Sequence, residues 1–337
     1  MESNSSLKTF LKEHFYHYNS GALVRAAEDY VRHIDRGGKM MVTLAGAMSS
    51  ARLGKILAPM IRAGKVHAIS TTGANLEEDV YRLIAFKHYA HIPHYRMSAK
   101  DEEKLLDQSF NRVTDLAIPE HEAMRVLEER LHGVWKAAEA EQAKVAHNAP
   151  ISEKLTKGRY FPHEYLYKIL QQKDLPIDGH REESWVLACM EKNIPIFTPG
   201  WEDSTSGNMF IAAIRKGVIQ NPLTVRDGKE AFNSLADWYI EESAKSPIGF
   251  FQVGGGIAGD YPICVVPMLR QDMEIEVPLW SYFAQIRDSH ESYGGYSGAY
   301  PTEKITWGKL DASSAMHDIV SDATICAPLV FAYVMGY

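Results

Sequence analysis

One repeated pattern constrains the fold of this chain more than any other feature. A short apolar run, suited to a buried strand, ends in a turn of small residues, and a helical segment follows. Such runs lie at residues 39–46, 66–71, 193–198, 248–253 and 279–286, and we expect a last strand near Val320. Because alternating strands and helices build parallel sheets with right-handed crossovers, the pattern predicts an α/β protein with a parallel sheet.

Apolar residues at helical spacing precede the first strand. They fill residues 6–36, and Gly37-Gly38 ends the pattern. Residues 90–165 are polar, helical and irregular, and no repeat, low-complexity run or linker divides the rest. We therefore expect an N-terminal helical extension at residues 1–38 and a single domain at residues 39–337.

Charge and cysteine content exclude several classes of protein. The net charge of −7 argues against nucleic-acid binding, which selects basic surfaces. The polar N-terminus does not resemble a signal peptide, and no stretch approaches the roughly 20 apolar residues of a membrane span. The three cysteines lack metal-ligand spacing and are typical of buried thiols in a reducing compartment. We expect a cytoplasmic protein without a metal site that binds neither nucleic acid nor membrane.

Turns rich in small residues follow four of the predicted strands, and ligand binding is expected there. The turns are residues 45–50, 71–79, 199–208 and 254–259. Ligands of open α/β sheets bind beyond the carboxyl ends of the strands, where such turns let the backbone approach a pyrophosphate. None of the turns matches G-x-G-x-x-G, and each alone is typical of ordinary strand-to-helix connections. Glu77, Glu78 and Asp203 could accept ribose hydroxyls, although helix capping explains Glu77 and Glu78 equally well.

Residues 287–309 form the most unusual segment. It carries four glycines and three tyrosines, which is too rich in small residues for a core helix and too aromatic for a solvated linker. We predict an ordered loop that packs against the rest of the protein. The loop ends at Lys309, two residues after Trp307. A lysine beside an aromatic wall can form an imine as a neutral amine, but most lysines are solvated surface charges. The residues alone do not raise Lys309 above the interpretation as a solvated surface charge.

Taken together, these segments resemble the deoxyhypusine synthase family, and more closely its bacterial deoxyhypusine synthase-like members. The resemblance covers nearly the whole chain, and its landmarks are residues 71–79, 195–199, Asp203, 254–256, 297–299, Pro301, Glu303 and 307–309. It implies a Rossmann-like single domain that binds NAD, usually as a homotetramer with its sites at subunit interfaces. The implied activity is transfer of an aminobutyl group from spermidine to an acceptor amine, through an imine on an active-site lysine.

The resemblance also implies roles for individual residues. Lys309 falls on the imine-forming lysine, Trp307 on a tryptophan of the polyamine tunnel, and Glu303 on an acid near the substrate. With the turn residues included, the expected cofactor contacts are Ser49, Thr72, Gly73, Glu77, Glu78, Asp203, Gly254, Gly255, Gly256, Asp322 and Ala323.

Three expected substrate-binding residues depart from deoxyhypusine synthase. Asn208 and Tyr296 stand where that enzyme has aspartates that hold spermidine, and Asp260 replaces a histidine that assists at the secondary amine. A buried ammonium needs a paired carboxylate, so these substitutions indicate a different amine or a different way of binding it.

The leading hypothesis is an NAD-dependent transferase that moves an aminobutyl-type group through Lys309 to a small amine, as in homospermidine synthesis. One alternative is a true deoxyhypusine synthase that modifies a lysine of a translation factor, and the substituted anchors count against it. Another is a non-catalytic NAD- or polyamine-binding protein, which would have no need of Lys309. A sirtuin-like deacylase is disfavoured because the chain has no Cys-x-x-Cys zinc module.

Overall fold

The main sheet is parallel and is flanked by helices, as seen in a computed structural model that describes residues 6–337. In chain order, the strands of this part of the chain are β1 (Lys39–Leu44), β2 (Ala68–Thr71), β3 (Ala90–His91), β4 (Phe110–Val113), β5 (Leu116–Pro119), β6 (Ile196–Phe197), β7 (Ile248–Val253), β8 (Trp280–Arg287) and β9 (Leu310–Val320). The main sheet has the order β6-β2-β1-β7-β8-β9, and all its neighbouring strands are parallel. Counted among themselves, these strands follow the order 3-2-1-4-5-6 of dinucleotide-binding folds. The predicted Rossmann-like doubly wound sheet is confirmed.

Helices fill the connections between the strands. Within residues 6–337 they are α1 (Leu7–His14), α2 (Tyr18–Asp35), α3 (Gly54–Arg62), α4 (Gly73–Ala85), α5 (Ala99–Asp107), α6 (Val126–Gln142), α7 (Ile151–Thr156), α8 (Pro162–Leu170), α9 (Trp185–Lys192), α10 (Thr205–Arg215), α11 (Gly228–Ser243), α12 (Ile257–Ile263), α13 (Val265–Pro267), α14 (Glu303–Thr306) and α15 (Ala323–Met335). No helix of this described part is long and apolar enough to cross a membrane.

The sheet has an apolar core on each face, because successive side chains of a strand point to opposite sides. Val42 and Phe251 face a core that includes α2, α3 and α15, whereas Met41 and Phe250 face a core that includes α11, α12 and α13. The helices of the predicted N-terminal extension belong to the first of these cores. The Tyr282 hydroxyl of β8, for example, donates to the Ala26 carbonyl of α2 at 2.9 Å. The domain boundary at residue 38 stays a prediction.

A small antiparallel sheet, β3-β5-β4, lies in the middle of the chain. The prediction that residues 90–165 are only helical and irregular was wrong here. These strands are two to four residues long, and most side chains of β3 and β4 are only partly buried. Strands this short and this exposed leave no alternation of apolar and polar residues that could reveal them.

The last strand, β9, begins at Leu310, ten residues before the expected position near Val320. It lies at the edge of the sheet, and most of its side chains are exposed or half-buried. An edge strand of this kind has no continuous apolar run, which explains the error. As a result, Lys309 directly precedes a strand, and its carbonyl accepts the Trp280 N–H at 3.2 Å.

Candidate active site

A glycine loop follows β7 at the centre of the sheet, where the strand order reverses direction. The loop lies beside the turn after β1, which contains Ala45 and Gly46. Gly254 and Gly256 have φ values of +78° and +63°, in the left-handed region that favours glycine. A Cβ on Gly254 would lie only 2.9 Å from the Cβ of Ala45. The backbone is therefore left bare at the position where doubly wound folds bind their ligands.

A cavity of about 590 Å³ opens at this edge of the sheet, and we call it the edge cavity. It is bounded by residues that follow β1, β7, β8 and β9, including the predicted cofactor residues Gly254, Asp322 and Ala323. The carboxylate of Asp322 caps α15 by accepting the Thr324 N–H at 2.6 Å. The structure thus brings three predicted residues from two distant segments to one cavity.

Asn75 organises the turn after β1, although sequence reasoning missed this residue. Its side-chain amide donates to the carbonyl of Ala45 at 3.2 Å, and its Oδ1 accepts the Ser49 N–H at 2.9 Å. Ser49 is buried, and its hydroxyl donates back to the Asn75 carbonyl at 2.6 Å. Thr72 caps the start of α4, and its hydroxyl donates to the Gly46 carbonyl at 2.8 Å. Ser49 and Thr72 therefore shape the turn.

Glu77 and Glu78 are buried near the start of α4 and bind backbone N–H groups. The two oxygens of Glu77 accept the N–H groups of Thr205 at 2.9 Å and Ser206 at 2.6 Å, in the first turn of α10. Glu78 accepts the Ser50 N–H at 3.2 Å. Burial raises the pKa of both carboxyl groups, and these hydrogen bonds lower it. Capping therefore accounts for Glu77, but the helix it caps lies more than a hundred residues away in sequence.

Asp79 completes this acidic row and binds the start of α9. It accepts the hydroxyl of Ser184 and the N–H groups of Trp185 at 3.2 Å and Val186 at 3.3 Å. Burial raises the pKa of Asp79 to about 6 despite these three donors. One helix thus supplies buried carboxylates to the N-termini of two others.

Asp203 and Asn208 flank the start of α10, and both are exposed. The Asn208 side-chain amide donates to the Ser204 carbonyl of its own helix at 2.7 Å. Gly73 packs against Ser204, since a Cβ on this glycine would lie 2.6 Å from the serine Cβ. The start of α10 is therefore held closely against the start of α4, and Asn208 lies on the outside of this contact.

Lys309, Asp260, Tyr296 and Trp307 come together at the other side of the glycine loop. The Lys309 Nζ lies 3.5 Å from Asp260 Oδ1, and 5.6 Å and 5.8 Å from the ring centroids of Tyr296 and Trp307. The lysine side chain is only 8% exposed. A carboxylate at this distance stabilises the ammonium form of the lysine, and it can act as a general base that takes the proton when the amine attacks an electrophilic carbon.

A second cavity, of about 770 Å³, lies beside these residues, and we call it the aromatic cavity. Its lining residues are mostly apolar or aromatic, with one carboxylate and one ammonium: Gly228, Lys229, Phe232, Gly256, Ile257, Asp260, Tyr261, Cys264 and Tyr296. Gly254 borders the edge cavity and Gly256 borders the aromatic cavity. The glycine loop, with Gly255 between them against Ser297, therefore lies between the two spaces.

Glu303 and Trp307 lie at the periphery of the site and are exposed to solvent. Glu303 is exposed, and its carboxylate accepts the Tyr300 N–H at 3.0 Å. Trp307 is 65% exposed although its ring lies near Lys309. The structure brings Trp307 to the lysine and leaves Glu303 at the start of α14.

A second lysine lies in the same region, and sequence reasoning missed it. Lys304 is 2% exposed, with its Nζ 4.7 Å from the ring centroid of Phe283 and 5.1 Å from that of Tyr296. Burial, and to a smaller extent the charge of Lys309, lower the pKa of Lys304 to about 8. A lysine in a polar turn is usually exposed, so the sequence carries no signal of this burial.

Sequence reasoning also missed Gln252 and Gln285, although their positions within apolar runs are visible in the sequence. Each is a polar residue near the end of an otherwise apolar strand, and the two are register partners in β7 and β8. Gln285 donates to Asp318 Oδ1 at 2.9 Å, and Arg287 binds the same carboxylate through both oxygens, at 2.8 Å and 2.6 Å. Buried polar groups next to a cavity commonly position a site.

Known proteins resemble the chain along its whole length. A family model described as deoxyhypusine synthase matches residues 12–334. Deoxyhypusine synthase-like proteins from Cyanothece sp. and Nostoc sp. are each 26% identical to it, over 99% and 100% of this chain and 80% and 83% of their own lengths. A candidate deoxyhypusine synthase from Entamoeba histolytica has the same fold, with a TM-score of 0.54 at 11% identity over 98% of this chain and 93% of that one.

The family match spans nearly all of the described helices and strands, including the glycine loop and the segment that ends at Lys309. The relatives align over most of their own lengths, so the similarity is not confined to a shared nucleotide-binding unit. From these matches it follows that the chain belongs to the deoxyhypusine synthase family.

Proposed function

We propose that this protein is an NAD-dependent transferase that moves an aminobutyl-type group from an amine donor to a small amine acceptor, through an imine on Lys309. The observation that carries the proposal is the environment of Lys309, which is buried beside the rings of Tyr296 and Trp307 and faces Asp260 at 3.5 Å. Membership of a family of NAD-dependent aminobutyl transferases supports the same reaction class. We propose that the protein acts as a homotetramer in the cytoplasm.

The edge cavity fits NAD. Its volume of about 590 Å³ lies within the range of cofactor sites, and its floor is the bare backbone of Gly46 and Gly254. The N-terminus of α15 borders the same space and offers backbone N–H groups to a pyrophosphate. We propose that the loop 254–256, Asp322, Ala323 and Asp203 hold the cofactor, although Asp203 does not line the edge cavity. Ser49, Thr72, Gly73, Glu77 and Glu78 would shape the turns around it.

The chain's own residues supply the covalent step. When bound, NAD would take a hydride from the donor carbon and return it to the product, so that the donor amine is oxidised to an imine and the product imine is reduced. Asp260 accepts a proton from Lys309, whose amine then adds to the imine carbon. The other part of the donor leaves as an amine and carries that proton away. The acceptor amine displaces Lys309 by the same exchange in reverse.

The walls of the aromatic cavity protect the imine on Lys309. Phe232, Tyr261 and Tyr296 line this space, and Lys309 itself is nearly inaccessible to water. Exclusion of water slows hydrolysis of an imine until the acceptor amine arrives. The neutral side chains of Asn208 and Tyr296, where spermidine-binding aspartates stand in deoxyhypusine synthase, support an acceptor or donor other than that enzyme's.

Borohydride trapping tests the imine directly. With NAD and a turned-over amine, reduction is expected to leave an aminobutyl-type adduct on Lys309, because borohydride converts an imine into a stable secondary amine. Peptide mass spectrometry locates the adduct, and a Lys309→Ala sample provides the control. Turnover without any adduct on Lys309, or an adduct that persists in the control, would contradict the proposed carrier.

Asn208→Asp tests whether Asn208 lines the amine site. A carboxylate at this position is expected to tighten spermidine binding by about tenfold, because it would form a charge-assisted hydrogen bond with an ammonium group. The position is exposed near the start of α10, where an added negative charge is tolerated. Calorimetry measures the affinity, and Asn148→Asp adds the same charge to an exposed loop elsewhere. Equal spermidine affinity in both variants would place Asn208 outside the site.

A further inference from the structure

Lys304 is a buried cation without a counter-ion. The residue is nearly inaccessible to solvent, and its Nζ lies against the rings of Phe283 and Tyr296. The Nζ has no hydrogen-bond partner among residues 6–337. Buried ammonium groups ordinarily pair with a carboxylate, because burial without one is costly. The position of Lys304 behind Tyr296 places this unpaired charge against the wall of the aromatic cavity.

The nearby carboxylates are committed to other partners. Asp318 is held by Arg287 at 2.6 Å, and Asp260 faces Lys309 at 3.5 Å. Glu303 accepts the backbone N–H of Tyr300. These carboxylates therefore offset the field of Lys304 only in part, and through a wall of low dielectric the rest of it reaches the cavity.

The charges that line the aromatic cavity match one ammonium group of an acceptor but not a second one. Asp260 is its one carboxylate, and Lys229 at the rim is an ammonium whose Nζ lies 3.2 Å from Asp227. Burial holds the pKa of the Tyr296 hydroxyl well above its usual range, so this side chain supplies no negative charge. One ammonium group can be matched at Asp260, but a second one near Tyr296 would meet Lys304.

We propose that Lys304 is a specificity-determining residue that selects an acceptor amine carrying a carboxylate, rather than a second ammonium, at the end held near Tyr296. The amine end lies toward Asp260 and Lys309, the aliphatic part contacts the apolar walls, and the carboxylate lies where the field of Lys304 is strongest. Lys304 acts through the wall formed by Tyr296 and makes no contact with the reacting atoms. This inference rests on the proposed function, since it assigns the substrate class of the same site.

Three ligands of one length test the inference: 5-aminopentanoate, pentane-1,5-diamine and pentylamine, titrated calorimetrically into wild type and Lys304→Met at pH 7 with saturating NAD. Wild type is expected to bind 5-aminopentanoate about tenfold more tightly than the diamine, with pentylamine between them. Lys304→Met, which keeps the length of the side chain but not its charge, should lose this preference. Equal preference in both proteins, a wild-type preference for the diamine, or no binding of 5-aminopentanoate would overturn the inference.

The pH dependence of wild type provides a second measurement if Lys304→Met does not fold. Lys304 is cationic below a pKa of about 8 and neutral above it, so the preference for the carboxylate should fall by about tenfold between pH 7 and pH 9.5. Charged groups that face Lys304 are Lys309 and Asp318 of the β9 region, Asp260 of α12 and Glu303 of its own helix. A parallel titration of Lys309→Ala removes the contribution of the other lysine. A preference that stays constant with pH would contradict the role of Lys304.

The binding measurements separate this inference from the proposed function. A preference for the carboxylate that depends on Lys304, without NAD-dependent turnover of any amine, would leave the selectivity intact and refute the transferase. Turnover through Lys309 with equal binding of the three ligands would refute the selectivity alone.

Discussion

Replacing Lys309 with alanine is expected to lower turnover by at least about a thousandfold. Without its amine, the site loses the buried lysine beside Asp260 that we propose as carrier, and Lys229 at the rim of the aromatic cavity is exposed to water. NAD affinity should change by less than about threefold, since the edge cavity lies across the glycine loop and Lys309 is not among its lining residues. Steady-state assays with NAD and a panel of amines measure the first effect, and calorimetric titration of NAD measures the second.

Two further variants test whether the loss of turnover in Lys309→Ala reflects the loss of the imine-forming amine. Lys309→Arg keeps a cation beside Asp260 but cannot form an imine, so it should be as inactive as Lys309→Ala. Lys245→Ala removes an exposed lysine that forms an ion pair with Glu241. This variant should retain full activity. If Lys309→Ala lost NAD affinity together with activity, Lys309 would have a structural role and the carrier mechanism would fail.

Replacing Asp79 with alanine is expected to destabilise the fold by roughly 3 kcal/mol. The change leaves the buried N–H groups of Trp185 and Val186 and the hydroxyl of Ser184 without their acceptor. Urea unfolding followed by fluorescence and circular dichroism measures the loss. Asp107→Ala, at the exposed last residue of α5, serves as the control and should leave the unfolding midpoint nearly unchanged. An equal effect of the two substitutions would show that the start of α9 does not depend on Asp79.

The stability difference between wild type and Asp79→Ala should also depend on pH. Burial holds the pKa of Asp79 at about 6 in the folded protein, above the ordinary value of about 4 in the unfolded chain. The folded state therefore binds this proton more readily, and the resulting stabilisation is present below pH 4 and is lost as the pH rises through 6. The difference should be about 1–3 kcal/mol larger at pH 4.5 than at pH 7. A difference that is smaller at pH 4.5 would mean that the hydrogen bonds to the carboxylate outweigh its burial.

Sequence reasoning predicted the fold where strands are buried on both faces. Strands such as β1 and β7 are continuous apolar runs, and the small residues that end them mark the edge where ligands bind. It failed where strands are exposed, because the edge strand β9 and the short strands β3 to β5 carry little apolar signal. The strands were thus predictable from the sequence only where their side chains are buried.

The candidate site was predictable only in part, for a different reason. Residue types and resemblance indicated Lys309, Asp260, Tyr296 and Trp307, and the structure brings these four together. Contacts between distant segments have no local pattern, so neither the capping of α10 by Glu77 nor the placement of Asn75 could be read from neighbouring residues. Lys304 shows the same limit, since only the packing of the loop against Phe283 reveals that its charge is buried.

We expect the glycine loop between the two cavities to link the binding of their ligands thermodynamically. Gly254 and Gly256 are two residues apart, and Gly255 packs against Ser297 on the segment that leads to Lys309. A ligand that shifts this thin partition changes the free energy of binding on its other side. Linkage requires the effect to be reciprocal. If a bound cofactor changes the affinity for the amine by some factor, a bound amine changes the affinity for the cofactor by the same factor.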